Sequence, residues 1–264
     1  MRIKVSAIII VILTLWSCVK VPITGRKQMK LLPESELITM ANAQYAEFLT
    51  ANQVLNNSQA AQVKRVGDRI AKAVEKFLTK EGHGKRIEGY QWEFNLVKDS
   101  LVNAWCMPGG KVVFYTGILP VCQGDEGIAV VMGHEIAHAI ARHGNERMSQ
   151  GLLVNLGAAS IGVATSQNSE MTQQIFNQSY GLASTLGMLK YSRKHESEAD
   201  KLGLVFMALA GYNPETAVGF WQRMSEGGGV RPPEILSTHP SSETRIEEIK
   251  KFLPEAKKYY KPVN

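Results

Sequence analysis

His134-Glu135-Ile136-Ala137-His138 lies inside an apolar run, Gly127 to Ile140, that has helical spacing. A helix advances about 100° per residue, so His138 falls about 40° around from His134, one turn further along. Two imidazoles stacked this way can hold one metal ion. Zinc suits them, because it takes neutral histidine nitrogen and tolerates distorted tetrahedral surroundings. Glu135 falls about 100° to the side. It stands beside the metal rather than on it, where a base takes a proton from a metal-activated water. The bland alternative is a helix that carries two histidines and a glutamate by accident. The flank Ile128-Ala129-Val130-Val131-Met132-Gly133 counts against accident, since ionisable groups on a buried helix face are costly unless paired or metal-bound.

Two histidines do not complete a zinc site, so another ligand comes from elsewhere. His143 follows His138 by five residues, about 140° away around a helix. With Gly144 next, it is predicted to mark the helix C-terminus, where a cation favours the dipole. A better candidate is Ser192-Arg193-Lys194-His195-Glu196-Ser197-Glu198-Ala199-Asp200, predicted to open a helix that runs to about Gly211. Glu196 and Asp200 are four apart and share a face, whereas His195 and Glu198 point elsewhere. Asp200 heads an apolar run, Leu202 to Met207. One ligand plus one orienting partner explains a carboxylate pair facing a core. Acids placed in a first helical turn to complement the macrodipole explain it equally well. Spacing alone leaves both open.

Upstream, Leu31 to Thr50 is predicted to be helical, with Pro33-Glu34-Ser35-Glu36 at its start. A second helix is predicted from about Ser58 to Thr79, with Val63, Val66, Ile70, Val74 and Phe77 on its apolar face. Glu81-Gly82-His83-Gly84 ends it and leaves His83 exposed. Trp92, Phe94 and Leu96 alternate with polar residues as in a half-buried strand. Val102 to Trp105 reads as a short extended piece, Pro108-Gly109-Gly110 as a turn and Lys111 to Tyr115 as the returning strand. Strands before the histidine helix and mostly helix after it predict an α+β, mainly helical fold with a small antiparallel-edged sheet. Gly151 to Thr165 is apolar, small and glycine-rich, too short and broken to span a bilayer. It reads either as a lid or helix pair over the site or as ordinary packing through small residues. No internal repeat of 20–50 residue period is present, and no helical-repeat module follows the histidine region.

The 264 residues are 44% hydrophobic and 20% charged, which fits one globular domain with a sizeable core. The net charge is +6. No basic stripe interleaved with aromatics and no nucleic-acid motif is present, so nucleic acid is not expected as a partner. The basic residues read as a solvated surface or as a weak attraction to anionic headgroups. Arg2 and Lys4 precede an apolar stretch, Val5 to Leu13, with the pattern of a signal peptide. Leu15-Trp16-Ser17-Cys18 resembles a bacterial lipobox, which implies cleavage before Cys18 and lipid on that residue. Plain secretion or an uncleaved anchor is the alternative. Val19 and Lys20 follow, with no aspartate, which by analogy with enterobacterial sorting favours the outer membrane over the inner. The expected organisation is a lipoprotein signal peptide at 1–17, a membrane-proximal tether at 18–30 and one domain at 31–264. Cys106 and Cys122 either pair in an oxidising compartment or remain two separate buried thiols.

Gly133 to His138, then Ser192-Arg193-x-x-Glu196-x-x-Ala199-Asp200, then Ser237-Thr238-His239-Pro240-Ser241, resembles the HtpX and CAAX-prenyl-protease family of gluzincin zinc metallopeptidases. Asn103-Ala104, Pro108-Gly109-Gly110 and Tyr115-Thr116-Gly117 are similar to that family's substrate-strand region. The resemblance covers roughly residues 30 to 260. It lies nearest the soluble periplasmic lipoprotein branch, BepA- and LoiP-like, without a C-terminal helical-repeat domain. It implies a zincin-type domain with one zinc per chain, held by His134, His138 and Glu196, and Glu135 as catalytic base. It also implies Asp200 hydrogen-bonded beside a ligand, and Asn103 and Ala104 on a strand that holds extended peptide. His239 would lie close to the metal, as a latency ligand or a transition-state aid. The implied activity is zinc-dependent cleavage of misfolded or stalled cell-envelope proteins, on the periplasmic side and lipid-anchored. A chaperone-like envelope lipoprotein with a closed, latent zinc site is the rival.

Overall fold

A computed structural model describes residues 18–156, 169–180, 192–226 and 244–262. The described residues open with a two-stranded antiparallel ribbon, β1 (Cys18–Lys20) and β2 (Lys27–Met29), in which Cys18 pairs with Met29. Helix α1 (Glu34–Ala51) begins three residues later than expected. The reason is Pro33, which occupies the N-cap in an extended conformation (ψ 131°) and forces the residues before it out of the helix. Helix α2 (Ser58–Lys80) is capped by the Asn57 side chain, which accepts from the Ala60 amide. It buries Val63, Val66, Ile70 and Val74 as predicted, and Leu78, while Phe77 is only half-buried.

Three strands follow: β3 (Glu93–Val97), β4 (Ala104–Met107) and β5 (Lys111–Tyr115). The expected hairpin forms between β4 and β5, with Ala104 opposite Phe114. β3 pairs with β5 in parallel, so the sheet order is β3-β5-β4 and β4 is an antiparallel edge. The short α3 (Leu119–Cys122) leads into α4 (Asp125–Ala141), the histidine helix. Every residue of α4 from Gly127 to Ala141 is buried. It is therefore a central helix enclosed on all sides rather than an amphipathic one. It packs on α2, on β4 and along α7 (Arg193–Leu209), the carboxylate helix.

The crossing of α4 and α7 is made backbone to backbone. A Cβ added at Gly133 would lie 2.7 Å from the carbonyl oxygen of Gly203, and one added at Gly203 would lie 2.9 Å from the amide nitrogen of His134. Any side chain there would wedge the helices apart. With both positions bare, the helices run in opposite directions past each other, bringing His134 to Asp200 and His138 to Glu196. Beyond α4 lie α5 (His143–Leu156), α6 (Ser169–Tyr180), α8 (Thr216–Glu226) and α9 (Arg245–Ala256). The last two pack on each other and on the α4–α7 pair.

Helix α4 ends differently from expectation. Arg142, not Gly144, takes the left-handed conformation (φ 57°, ψ 38°) and returns its amide to Ala139 and His138. His143 therefore opens α5 as a buried residue instead of ending α4. Gly144 is small for another reason, because a Cβ there would sit on the Tyr180 hydroxyl. Cys106 and Cys122 are separate, free and buried, and burial raises both thiols, Cys122 to about 12. His83 is exposed, as predicted. The signal segment 1–17, His239 and the apolar stretch beyond residue 156 lie outside the described residues.

Candidate metal centre

The donors on α4 and α7 converge. Nε2 of His134 and Nε2 of His138 are 3.1 Å apart. Glu196 places Oε2 3.4 Å from the first and Oε1 3.3 Å from the second. All three side chains are buried. A tetrahedral zinc site with bonds of about 2.0–2.1 Å has donor-to-donor edges of roughly 3.3 Å, so the spacing fits one zinc ion. The donor chemistry fits as well, two imidazoles and one carboxylate being a standard gluzincin-type set. Among the described residues this is the one His/Cys/Asp/Glu group that converges in this way. Glu196 stands in the first turn of α7, so the macrodipole and the ligand explanations of this acid hold together.

The surrounding groups fix which nitrogen faces the metal. Nδ1 of His134 donates to Oδ1 of Asp200 at 2.9 Å, which leaves Nε2 for coordination. Asp200 also accepts from Nη2 of Arg245 at 2.6 Å. Burial alone would raise the Asp200 carboxyl, but Arg245 and His134 outweigh it and hold it low. The Arg245 guanidinium lies 3.4 Å over the ring of Trp221, and its Nη1 is 3.5 Å from Glu196. Arg245 was not anticipated from sequence. It stands at the start of an ordinary amphipathic helix, and its partner Asp200 is 45 residues away.

His195 and Glu198, expected to point elsewhere, do turn from the metal donors, but both are buried. Glu198 accepts from His143 Nε2 at 2.9 Å and from Arg26 Nε at 2.7 Å. His195 Nε2 lies 3.1 Å from Glu146. The signal that could have flagged Glu198 is the one used for Asp200, an acid embedded in a segment bound for the core. Glu135 is buried. Burial, and next the charge of Glu135, raise the Cys106 thiol on β4. Asn103 is buried just before that strand. Its side chain accepts from the Ala104 amide and its carbonyl from the Tyr115 amide.

The model of peptidase family M48 matches residues 57–253. The chain belongs to peptidase family M48. Its relatives include the mitochondrial metalloendopeptidase OMA1 of Schizosaccharomyces pombe, 39% identical over 172 residues, 63% of this chain and 48% of that protein. The metalloprotease YcaL of Escherichia coli is 27% identical over 219 residues, 83% of this chain and 80% of the relative. The beta-barrel assembly-enhancing protease of Yersinia pestis is 27% identical over 180 residues, 60% of this chain and 34% of the relative. This M48 chain spans about half the length of the mitochondrial relatives it matches. No described helix is long and apolar enough to cross a membrane. Family and donor set agree that this is a zinc metallopeptidase site.

In the metal-free protein, burial lowers both histidine ligands. For His134, Asp200 and Glu196 outweigh it and raise the group to about 9, while His138 stays well below its ordinary value. His134 therefore carries a second proton, on the Nε2 that zinc requires. Loading zinc near pH 7.5 is expected to release about one proton per metal. Through this group, apparent affinity should climb with pH up to about 9 and flatten above. The sign for folding is the reverse. A raised histidine stabilises the metal-free fold below the unfolded value and ceases to do so as pH rises through about 9. Calorimetry in buffers of differing ionisation heat counts the released proton; a count near zero contradicts the assignment.

Proposed function

We propose that the protein is a zinc-dependent endopeptidase that hydrolyses misfolded or stalled cell-envelope proteins, with His134, His138 and Glu196 as metal ligands and Glu135 as catalytic base. The observation that carries this reading is the convergence of the three buried donors at tetrahedral spacing, with a further buried group, the carboxyl-bearing Glu135, next in sequence to His134. Zinc, when bound, supplies a Lewis acid that polarises a carbonyl and acidifies water.

The chain's own residues supply the rest. Glu135 takes the proton from the attacking water and returns it to the leaving amine. Asp200, fixed by Arg245, orients His134. β4 is an edge that packs on the histidine helix, and an extended peptide adds to an edge through main-chain hydrogen bonds. Ala104 begins that strand and Asn103 precedes it; both are assigned to substrate binding. His239 is assigned a place near the metal, as a latency ligand or a transition-state aid.

The envelope assignment draws on the signal and lipobox pattern ending at Cys18. It is also in keeping with the name of the beta-barrel assembly-enhancing relative. We place the protein on the periplasmic side, anchored through lipid on Cys18, at the outer membrane in preference to the inner. The test is cleavage of unfolded casein by the purified protein, abolished by a chelator and restored by zinc, together with palmitate labelling that is lost in Cys18→Ser. Chelator-insensitive cleavage, or capture of unfolded chains without cutting, would overturn the peptidase reading. Labelling that persists in Cys18→Ser would overturn the anchor.

A further inference from the structure

His143 takes no part in the chemistry above, yet it is fully buried directly behind the ligand His138. Its Nδ1 lies 2.9 Å from Nδ1 of His138, and its Nε2 lies 2.9 Å from Oε2 of Glu198. An ionised carboxylate only accepts, so Nε2 of His143 carries a proton. A neutral imidazole with its proton on Nε2 has a bare Nδ1, which accepts. The facing Nδ1 of His138 must then be the donor, and Nε2 of His138 is left bare on the side of the metal donors. The tautomer of the ligand is thus set two side chains away.

The foundation of this relay comes from the start of the chain. Glu198 accepts from the Thr24 hydroxyl and from Arg26 Nε, and the two other nitrogens of the Arg26 guanidinium reach both oxygens of Glu146 at 2.9 and 2.7 Å. Glu146 also meets His195, whose ring stacks on His143 with centroids 4.5 Å apart and planes 22° from parallel. His143 is therefore gripped on its face, at one nitrogen by Glu198 and at the other by His138. Its ring cannot turn without breaking a buried charged contact. Histidine ligands ordinarily give their second N–H to an oxygen acceptor. His134 does so directly, to Asp200. His138 does so at one remove, through a second imidazole.

We propose that His143 is a positioning residue that fixes the tautomer and ring orientation of His138 for metal binding, anchored by Glu198 and the Arg26 ribbon. The proposal rests on the zinc-site reading, and the test separates the two. The full chain is prepared as wild type, His143→Phe and His143→Asn. Phenylalanine keeps the ring volume and removes the acceptor, while asparagine puts Oδ1 near the place of Nδ1. Zinc affinity is read by competition with a chromophoric chelator. Nitrogen-15 histidine spectra of the zinc-loaded wild type report each tautomer directly.

His143→Phe is expected to weaken zinc about 10- to 100-fold, and His143→Asn to return to within a few-fold of wild type. The spectra should show His143 with its proton on Nε2 and His138 with its proton on Nδ1. Equal affinity in wild type and His143→Phe overturns the proposal, as does an asparagine variant no better than phenylalanine, or a proton on Nδ1 of His143. Should His143→Phe not fold, the wild-type spectra decide alone. A wild type that binds no zinc would fell the metal reading itself, a result distinct from all of these.

Discussion

Glu135→Gln is expected to bind zinc as the wild type does and to lose peptide-bond cleavage by a factor of roughly 10²–10⁴, the range associated with a positioned general acid–base. The two halves of that result belong together. Glu135 is buried beside His134, but it is not in the converging donor set. Glutamine keeps its shape and removes only the capacity to take a proton. Turnover on unfolded casein, measured beside metal content on the same sample, checks it. A variant that cuts at the wild-type rate would take the base role from Glu135. A variant that has lost its metal would place Glu135 in the ligand set.

Glu196→Ala is expected to have the second large effect, and in a different quantity. Its two oxygens lie 3.4 and 3.3 Å from the two imidazoles, so no movement of the helix is needed for it to complete a three-ligand cage. Alanine leaves two neutral nitrogen donors, and the purified variant should carry no stoichiometric zinc. Thermal stability follows by linkage. A ligand held at a thousand times its dissociation constant stabilises the fold by about 4 kcal/mol. That increment should vanish in Glu196→Ala and persist in Glu135→Gln. Metal analysis and melting curves with and without added zinc read both. One zinc per chain in the purified Glu196→Ala protein would remove Glu196 from the cage.

Glu135 was legible in the sequence because its signal is local, whereas spacing left Glu196 open between ligand and first-turn acid until the family resemblance implied the ligand. The histidine helix, the carboxylate helix and the β4–β5 hairpin each announce themselves within about twenty residues, by apolar period, turn residues and spacing. The partners of those elements do not. The pairing of β3 with β5 in parallel, with β4 outside, depends on the chain passing one strand to reach another, and nothing in the strands themselves encodes it. His143 reads as a helix C-terminus because a glycine follows it and a cation there favours the dipole. Its burial is created by Glu198, 55 residues later, and by Arg26 on the ribbon. Arg245 is invisible for the same reason, since its partners Asp200 and Trp221 come from two other helices. The histidine donors could be found in the sequence and the resemblance implied Glu196 and Asp200, whereas Arg245, His143 and Glu198 are brought behind them by tertiary structure.

The ribbon has a mechanical meaning as well. Cys18 is already paired across from Met29, and Arg26 is clamped to acids behind the metal site. A lipid on Cys18 would therefore hold the hydrolytic machinery on a leash with no slack. Such a protease could not sweep the space around it in search of clients. It would patrol a thin layer at the bilayer surface, and selectivity would begin with which polypeptides linger there.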